Sequence, residues 1–240
     1  MGVLPYKEDQ AGKKQQVARM FDNISRRYDL LNHLLSLGID KGWRKKAIRM
    51  LRPLKPAVLL DVATGTGDFA IQALELKPER VIGVDISAGM LEMGRQKIAR
   101  LGVSHLIELQ LGDSENLRFE ENKFDAVTVA FGVRNFENLE KGLKEILRVM
   151  KPGAMLVVLE FSRPVGFPFR QIYNFYFKII LPKIGRMISK DKSAYTYLPA
   201  SVEAFPDGEA FETILRTVGF KNTACKPLTF GISSIYTARK

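Results

Sequence analysis

The chain alternates short apolar runs with longer stretches in which apolar residues return every three or four positions. The short runs are Ala57 to Val62, Arg80 to Asp85, His105 to Gln110, Phe124 to Ala130 and Ala154 to Glu160. Their apolar residues are consecutive, which predicts strands buried on both faces, as in a parallel sheet covered by helices. Helical patterns lie between them. Ser87 is a predicted N-cap, with Met90, Leu91, Gly94, Ile98 and Leu101 following at helical spacing. Leu139, Leu143, Ile146, Leu147 and Met150 form a second stripe, and Pro152-Gly153 is its predicted stop. Strand and helix in alternation predict right-handed βαβ units and an α/β, doubly wound sheet.

Both ends depart from this rhythm. Residues 1–55 precede the first strand and read as a helical cap over the open end of the sheet, with Trp43, Ala47, Ile48 and Leu51 on one face. The sheet domain then covers 56–240. Within it, residues 162–206 hold Pro164, Pro168, Pro182 and Pro199 and read as an insertion. Asp207 is the predicted cap of a helix carrying Phe211, Ile214, Leu215 and Val218 and closed by Gly219. Phe220 to Pro227 and Ile232 to Ala238 read as an antiparallel hairpin joined by the turn region Leu228 to Gly231.

Charge sharpens this division. Of a formal net charge of +11, residues 1–55 carry +8 and residues 161–205 carry +5, while the remainder is at −2. The two basic segments point to a face that meets something anionic, a nucleic acid or a membrane surface. Residues 161–205 also hold 10 of the 22 Phe and Tyr residues. Phe167, Phe169, Tyr173, Phe175, Tyr176 and Phe177 are interleaved with Arg163, Arg170, Lys178, Lys183 and Arg186, a composition suited to a membrane interface. Part of this segment must also pack against the sheet edge. A single cysteine, Cys225, excludes an intrachain disulfide and suits a reducing, cytoplasmic setting. The first 20 residues lack the apolar run of a secretory signal, and no stretch reaches the ~18 apolar residues of a membrane span.

The candidate chemistry gathers at the predicted strand ends. Asp61-Val62-Ala63-Thr64-Gly65-Thr66-Gly67-Asp68 follows the first strand, and Gly65 and Gly67 let backbone N–H groups approach a ligand. Gly65-x-Gly67-x-x-Ala70 also matches a dinucleotide fingerprint, so the glycines alone do not choose a cofactor. The carboxylates favour S-adenosylmethionine. A pyrophosphate between Asp61 and Asp68 would meet like charge, at roughly 4 kcal/mol per contact at ~4 Å. A sulfonium and an ammonium would instead be attracted. Asp68 alone equally serves to complement a helix N-terminus. Asp85, 18 residues after Gly67, is placed to accept both ribose hydroxyls. Asp113, beside Ser114 after the third strand, is placed for an adenine amino group.

Longer motifs carry a resemblance. Tyr28-Asp29-Leu30-Leu31-Asn32, Ser36-Leu37-Gly38 and Trp43-Arg44 resemble the N-terminal signature of the quinone-biosynthesis C-methyltransferases, the demethylmenaquinone and 2-polyprenyl-methoxy-benzoquinol methyltransferases. Arg148 to Gly153, running on to Leu159-Glu160-Phe161-Ser162, is similar to their second signature, and Phe131-Gly132-Val133-Arg134-Asn135 also matches. Ala63 and Ala154 stand where glycines are usual. The resemblance spans about Val17 to Lys240. It implies a class I methyltransferase sheet, mostly parallel with an antiparallel last strand. It also implies that Thr66, Asp85, Asp113 and Ser114 contact S-adenosylmethionine, and that the acceptor is a reduced quinol with a polyprenyl tail.

Such a reaction moves a methyl group in line from sulfonium to a ring carbon made nucleophilic by loss of a phenol proton, with no metal required. Arg134 and Asn135, after the fourth strand, are placed to stabilise phenolate charge and to hold a quinol oxygen. Arg134 has an equal alternative as the partner of a nearby carboxylate. Tyr28 is a third candidate for the same oxygen. His33 and His105 rank behind these, and the general base is unassigned, a water included. An RNA methyltransferase is the first rival. The fourth strand lacks the Asn/Asp-Pro-Pro-aromatic loop of base amino methylation, so nucleic acid is not the expected partner. A nicotinamide-dependent oxidoreductase and a non-catalytic binding module rank lower. The expected setting is cytoplasmic, with reversible contact to an anionic inner membrane face. A homo-oligomer is compatible with everything above, and naphthoquinol is favoured over benzoquinol.

Overall fold

The structure, a computed structural model, describes residues 3–36, 38–175 and 192–240. Seven strands form one sheet in the order β3-β2-β1-β4-β5-β7-β6. β1 (Val58–Val62), β2 (Arg80–Asp85), β3 (Ile107–Leu111), β4 (Phe124–Ala130) and β5 (Met150–Phe161) are parallel. β7 (Ser233–Arg239) runs antiparallel to both β5 and β6 (Lys221–Leu228). The chain leaves β1 towards β2 and β3, then returns to β4 on the other side. That reversal opens a crevice beyond the carboxyl ends of β1 and β4, where ligands of such sheets sit.

Consecutive apolar residues in the strands are explained by the two cores they feed. Leu60, Val62, Ile82, Val84, Val127 and Val129 face α5 (Leu139–Val149) and α8 (Glu209–Val218) in one buried cluster. Leu59, Val81, Leu109, Ala126 and Val157 face α2 (Ile39–Arg49), α3 (Asp68–Ala73) and α4 (Ala88–Arg100) in the other. β1, β2 and β4 thus feed both cores, whereas β3 carries Glu108 and Gln110 on its second face. Trp43, Ala47, Ile48 and Leu51 belong to the second core, so α2 lies on the sheet face. The crevice is covered instead by α1 (Lys13–Leu35), whose Val17, Met20 and Ile24 pack with Ala194 and Tyr197 of α7 (Lys192–Ala204).

Ser87 caps α4, its hydroxyl accepting from the Met90 N–H at 3.2 Å. A Cβ on Gly94 in α4 would lie 2.6 Å from Leu109 Cδ1 and 3.1 Å from the Thr66 carbonyl, so glycine lets α4 press the glycine-rich loop against the sheet. Two predicted boundaries differ. α5 ends at Val149, and Met150 is already extended. Pro152-Gly153 lies inside β5, absorbed by a register shift in which Phe124 faces Met150 but Ala126 faces Met155. Proline cannot donate to a ladder, so the strand bulges there instead of breaking. Asp207 does not cap α8; Gly208 occupies that position with no side-chain cap. The Asp207 carboxylate accepts from the Arg163 backbone N–H at 2.8 Å and from its guanidinium, tying the insertion to the start of α8.

In the insertion, α6 (Phe169–Phe175) and α7 are described. Leu37, Tyr176, Phe177, Lys178, Pro182, Lys183 and Arg186 lie outside the described residues, as do the side chains of Leu30, Leu31, Asn32 and His33.

Candidate active site

The loop after β1 turns on three left-handed residues, Ala63 (φ 54°), Gly65 (φ 58°) and Gly67 (φ 81°). Asp85, at the end of β2, fixes it. One carboxylate oxygen accepts from the Gly65 N–H at 2.8 Å and the other from the Ser87 N–H at 2.9 Å. Enclosure by the cleft walls pushes the Asp85 carboxyl up from 3.8 to about 6, against those hydrogen bonds. Asp61 lies deeper, 1% exposed, between the hydroxyls of Thr64 (2.6 Å) and Thr128 (2.7 Å). Burial raises it likewise to about 6.

Three cavities that share lining residues surround this loop. The first is a cleft of about 630 Å³ lined by Gly65, Asp85, Asp113, Ser114 and Asn135, with Lys14 and Phe21 of α1 across it. The second, about 730 Å³, is aromatic, with Tyr28, Phe131, Phe161 and Tyr197 on its walls beside Arg44 and Arg134. The third, about 330 Å³, lies between Asp61, Thr66, Asp68 and Arg44. Tyr28 borders all three, and Phe131 borders the first two.

Phe131 sits at φ 56°, a conformation that disfavours a bulky side chain by roughly 1–2 kcal/mol. Its N–H donates to the Leu159 carbonyl at 2.7 Å, and its own carbonyl accepts from Arg134 Nη1. Its ring lies 4.5 Å from that of Phe161 and 6.3 Å from that of Trp43. Strain of this kind persists where the surroundings over-determine a residue, and it clusters at functional sites. Here it places an aromatic wall between two cavities.

The predicted site residues distribute over these cavities. Asp85, Asp113, Ser114, Gly65 and Asn135 line the cleft. Asp113 is held by Lys14 Nζ at 2.6 Å and by the Glu115 N–H at 2.9 Å. Gly67 shapes the turn at the start of α3. The Thr66 hydroxyl is engaged with α1, donating to Asp29 at 2.6 Å and accepting from Lys97 at 3.0 Å. Arg134 and Asn135, adjacent in the chain, face different cavities. Arg134 lines the aromatic one and pairs at 2.7 Å with Glu160, which is fully buried. Burial pushes the Glu160 carboxyl upward, opposed by the Arg134 charge. Asn135 Nδ2 lies 3.4 Å from the Phe131 carbonyl, and its Oδ1 is buried with no partner.

The charge comparison between Asp61 and Asp68 changes once their partners are seen. Asp68 is paired with Lys97 at 2.6 Å and stands 3.8 Å from Arg44. Of these two, among the described residues, Asp61 is the one without a cation in direct contact. Sequence reasoning also passed over residues that build the site. Glu160 carried a readable signal, since a carboxylate ending an apolar strand must find a partner. Arg44, Phe131 and Phe161 were visible only as signature residues, and Tyr197 carried no signal.

The orphaned Asn135 Oδ1, the positive-φ turn under the cleft and the carboxylate closing β2 fit a nucleoside with a cationic arm. A solved S-adenosylmethionine-dependent methyltransferase from Thermotoga maritima superposes with a TM-score of 0.64 at 19% identity, covering 93% of this chain and 99% of that one. The fold is that of the class I S-adenosylmethionine-dependent methyltransferases. Sequence comparison narrows the class. The demethylmenaquinone methyltransferase of Bacteroides fragilis is 52% identical over 240 residues, covering 99% of this chain and 97% of that protein. The ubiquinone/menaquinone biosynthesis C-methyltransferase UbiE of Geotalea daltonii is 44% identical over 230 residues, covering 95% and 97%. The ubiE/COQ5 methyltransferase family profile matches residues 9–240, and the chain belongs to that family.

Proposed function

We propose that the protein transfers a methyl group from S-adenosylmethionine to a ring carbon of a reduced polyprenyl naphthoquinol, converting demethylmenaquinol to menaquinol. The observation that carries this reading is the meeting of a nucleoside-sized cleft and an aromatic cavity at Tyr28 and Phe131. The name of the Bacteroides fragilis relative supports naphthoquinol. That of the Geotalea daltonii relative keeps a benzoquinol as the second reading.

When bound, the cofactor supplies an electrophilic methyl group on sulfonium. Asp85 accepts from the ribose hydroxyls, Asp113 and Ser114 meet the adenine, and the Gly65 turn lets the backbone approach. Thr66 holds the loop to α1 through Asp29 and to α4 through Lys97. Phe131 and Phe161, packed on each other, would wall one side of the acceptor ring and exclude water, while Tyr28 stands where the cleft and the aromatic cavity meet. Arg134 offers positive charge to a developing phenolate and steadies the Phe131 carbonyl. The Tyr197 hydroxyl is buried without a partner in the same cavity, and burial raises it to about 12, so it stays a donor for a ring oxygen. In this reading α1, within residues 1–55, is the cap, α2 packs on the sheet, and 162–206 is a substrate insertion on the 56–240 domain.

The insertion also supports reversible contact with the anionic inner face of a membrane by a cytoplasmic protein. Val165, Phe167, Phe175 and Phe230 are exposed, next to the exposed Arg163 and Arg170. Among the described residues no helix is long and apolar enough to cross a membrane. Sedimentation with anionic vesicles should show binding at low salt that weakens as salt rises; no binding at low salt counts against it. The chemical reading is tested with labelled S-adenosylmethionine and each reduced quinol in turn. Faster labelling of the naphthoquinol is expected; labelling of neither overturns the reading.

A further inference from the structure

The turn that carries Arg134 and Asn135 is held from outside the sheet. It is a single 3-10 turn, Val133–Asn135. The Asn135 N–H donates to the Gly132 carbonyl at 3.0 Å and the Phe136 N–H to the Val133 carbonyl at 3.2 Å. So short a turn cannot satisfy its own last carbonyls. Lys13, in the first turn of α1, brings a donor to them. Its Nζ donates to the Arg134 carbonyl at 3.1 Å and to the Phe136 carbonyl at 2.8 Å, one on each side of Asn135. Just beyond, the N–H groups of Glu137 and Asn138 both donate to Glu115 Oε1 at 2.9 Å, and Glu115 Oε2 pairs with Lys14 at 3.2 Å. Two consecutive lysines of α1 thus grip this loop, one through its carbonyls and one through Glu115.

The Lys13 ammonium is a charge in a poor solvent. It lines a further cavity of about 490 Å³ with Val133, Arg134, Phe136 and Leu139. Burial and the Arg134 charge push it below the ordinary lysine value, opposed by Glu137 and Glu115. A cation so placed needs acceptors, and two of its three N–H groups are committed to this one turn. A Cβ on Gly12 would lie 3.1 Å from Glu137 Oε1, so glycine lets α1 begin this close to the loop. The grip matters because Arg134 lines the aromatic cavity and Asn135 the cleft. Adjacent side chains keep that division only while the peptide planes between them stay fixed.

We propose that Lys13 is a positioning residue for methyl transfer: from the first turn of α1 it locks the 133–136 turn so that Arg134 faces the acceptor and Asn135 the cofactor cleft. The proposal rests on the methyltransferase reading above, in which Arg134 serves the acceptor. It gives α1 a second task, since docking this helix completes the acceptor side of the site as well as covering the cleft.

The intact protein, Lys13→Met and Lys13→Arg are compared by thermal melts, amide hydrogen exchange, calorimetry with S-adenosylmethionine, and steady-state methylation of the reduced naphthoquinol. Met keeps the length of the side chain and removes its charge and donors. Arg restores both, and the cavity beside residue 13 leaves room for the larger head. In Lys13→Met, exchange over residues 133–138 should quicken by about tenfold or more while β1 and β4 keep their protection. Its kcat should fall by about 10- to 100-fold, with cofactor affinity held within about twofold. Lys13→Arg should recover kcat to within about threefold of the intact protein. Unchanged exchange over the turn, or a kcat within about twofold in Lys13→Met, would overturn the proposal. So would cofactor affinity falling as far as kcat, loss of a cooperative melt, or a Lys13→Arg no faster than Lys13→Met, because each makes Lys13 a support of the fold alone. An intact protein that methylates neither quinol would instead overturn the reading beneath it.

Discussion

Arg134→Ala separates the structural and chemical parts of the account. Arg134 and Glu160 pair at 2.7 Å with side-chain exposures of 7% and 0%. Removing the arginine leaves a carboxylate buried with only the backbone N–H groups of Phe161 (2.9 Å) and Arg134 (3.4 Å). Breaking a buried pair in this way costs about 3–5 kcal/mol. At ~2–4 °C per kcal/mol for a chain of this size, the melting temperature should fall by roughly 6–20 °C. Arg134→Ala/Glu160→Gln removes both charges and should recover part of the loss, with a coupling of about 1–3 kcal/mol. Turnover should fall strongly in both variants, because the Phe131 carbonyl loses its anchor and the aromatic cavity loses its cation. Cofactor affinity should hold within about twofold, since Arg134 does not line the cleft. Thermal melts, calorimetry with S-adenosylmethionine and a turnover assay read the three effects separately. A melting temperature within about 2 °C of the parent, or strictly additive losses in the double variant, would refute the buried-pair reasoning. Near-normal turnover would remove Arg134 from the mechanism.

Three further expectations follow from the same geometry. Burial raises the Asp61 and Asp85 carboxyls from 3.8 to about 6, and in the proposed reading both meet the cofactor as anions, so affinity should fall as pH drops below about 6, by up to about tenfold per unit for each group; calorimetry showing flat affinity between pH 5 and 7 would contradict this. The same raised values mean the native state holds protons that the unfolded chain releases. The contribution of these two groups to the stability of the ligand-free protein should therefore shrink as pH rises from about 4 to about 6 and then level off, which melts across that window would read. Tyr197→Phe removes a hydroxyl that has no protein partner, so stability should hold or rise slightly while KM for the quinol increases about 3- to 10-fold; a stability loss beyond about 1 kcal/mol would show that the hydroxyl serves the fold. In Gly132→Ala the new Cβ would stand 2.5 Å from that of Ala63, and the two loops should separate at a cost of about 1–3 kcal/mol with weakened cofactor binding; an unchanged melt would sink the close-approach argument.

Much of the sheet was readable because its signal is local. The apolar run Leu59 to Val62 and the Ser87 cap need only neighbours within one turn or strand, and the structure keeps both. What escaped depends on partners far along the chain. Pro152 reads as a helix stop until the bulge opposite Phe124 absorbs it. Asp207 reads as a cap until Arg163, 44 residues earlier, claims its carboxylate. The charge argument at the glycine-rich loop counted Asp68 as open to ligand, whereas Lys97, 29 residues later, neutralises it. The cleft residues Asp85, Asp113 and Ser114 were legible because strand ends converge by topology alone. Arg44 and Tyr197 were not, since each reaches its cavity from a helix outside the sheet. Thr66 illustrates the difference between a motif and its geometry: its hydroxyl serves the α1 interface.

The central claim is that a methyl group passes from sulfonium to carbon on a reduced ring. Its most direct test is incubation of the protein with trideuteromethyl-labelled S-adenosylmethionine and reduced demethylmenaquinol, with the oxidised quinone as control, followed by mass spectrometry and NMR of the extracted product. The intact trideuteromethyl group should appear on the vacant ring carbon, and only when the quinol is reduced. Label on a quinol oxygen, or equal labelling of the oxidised quinone, would contradict it.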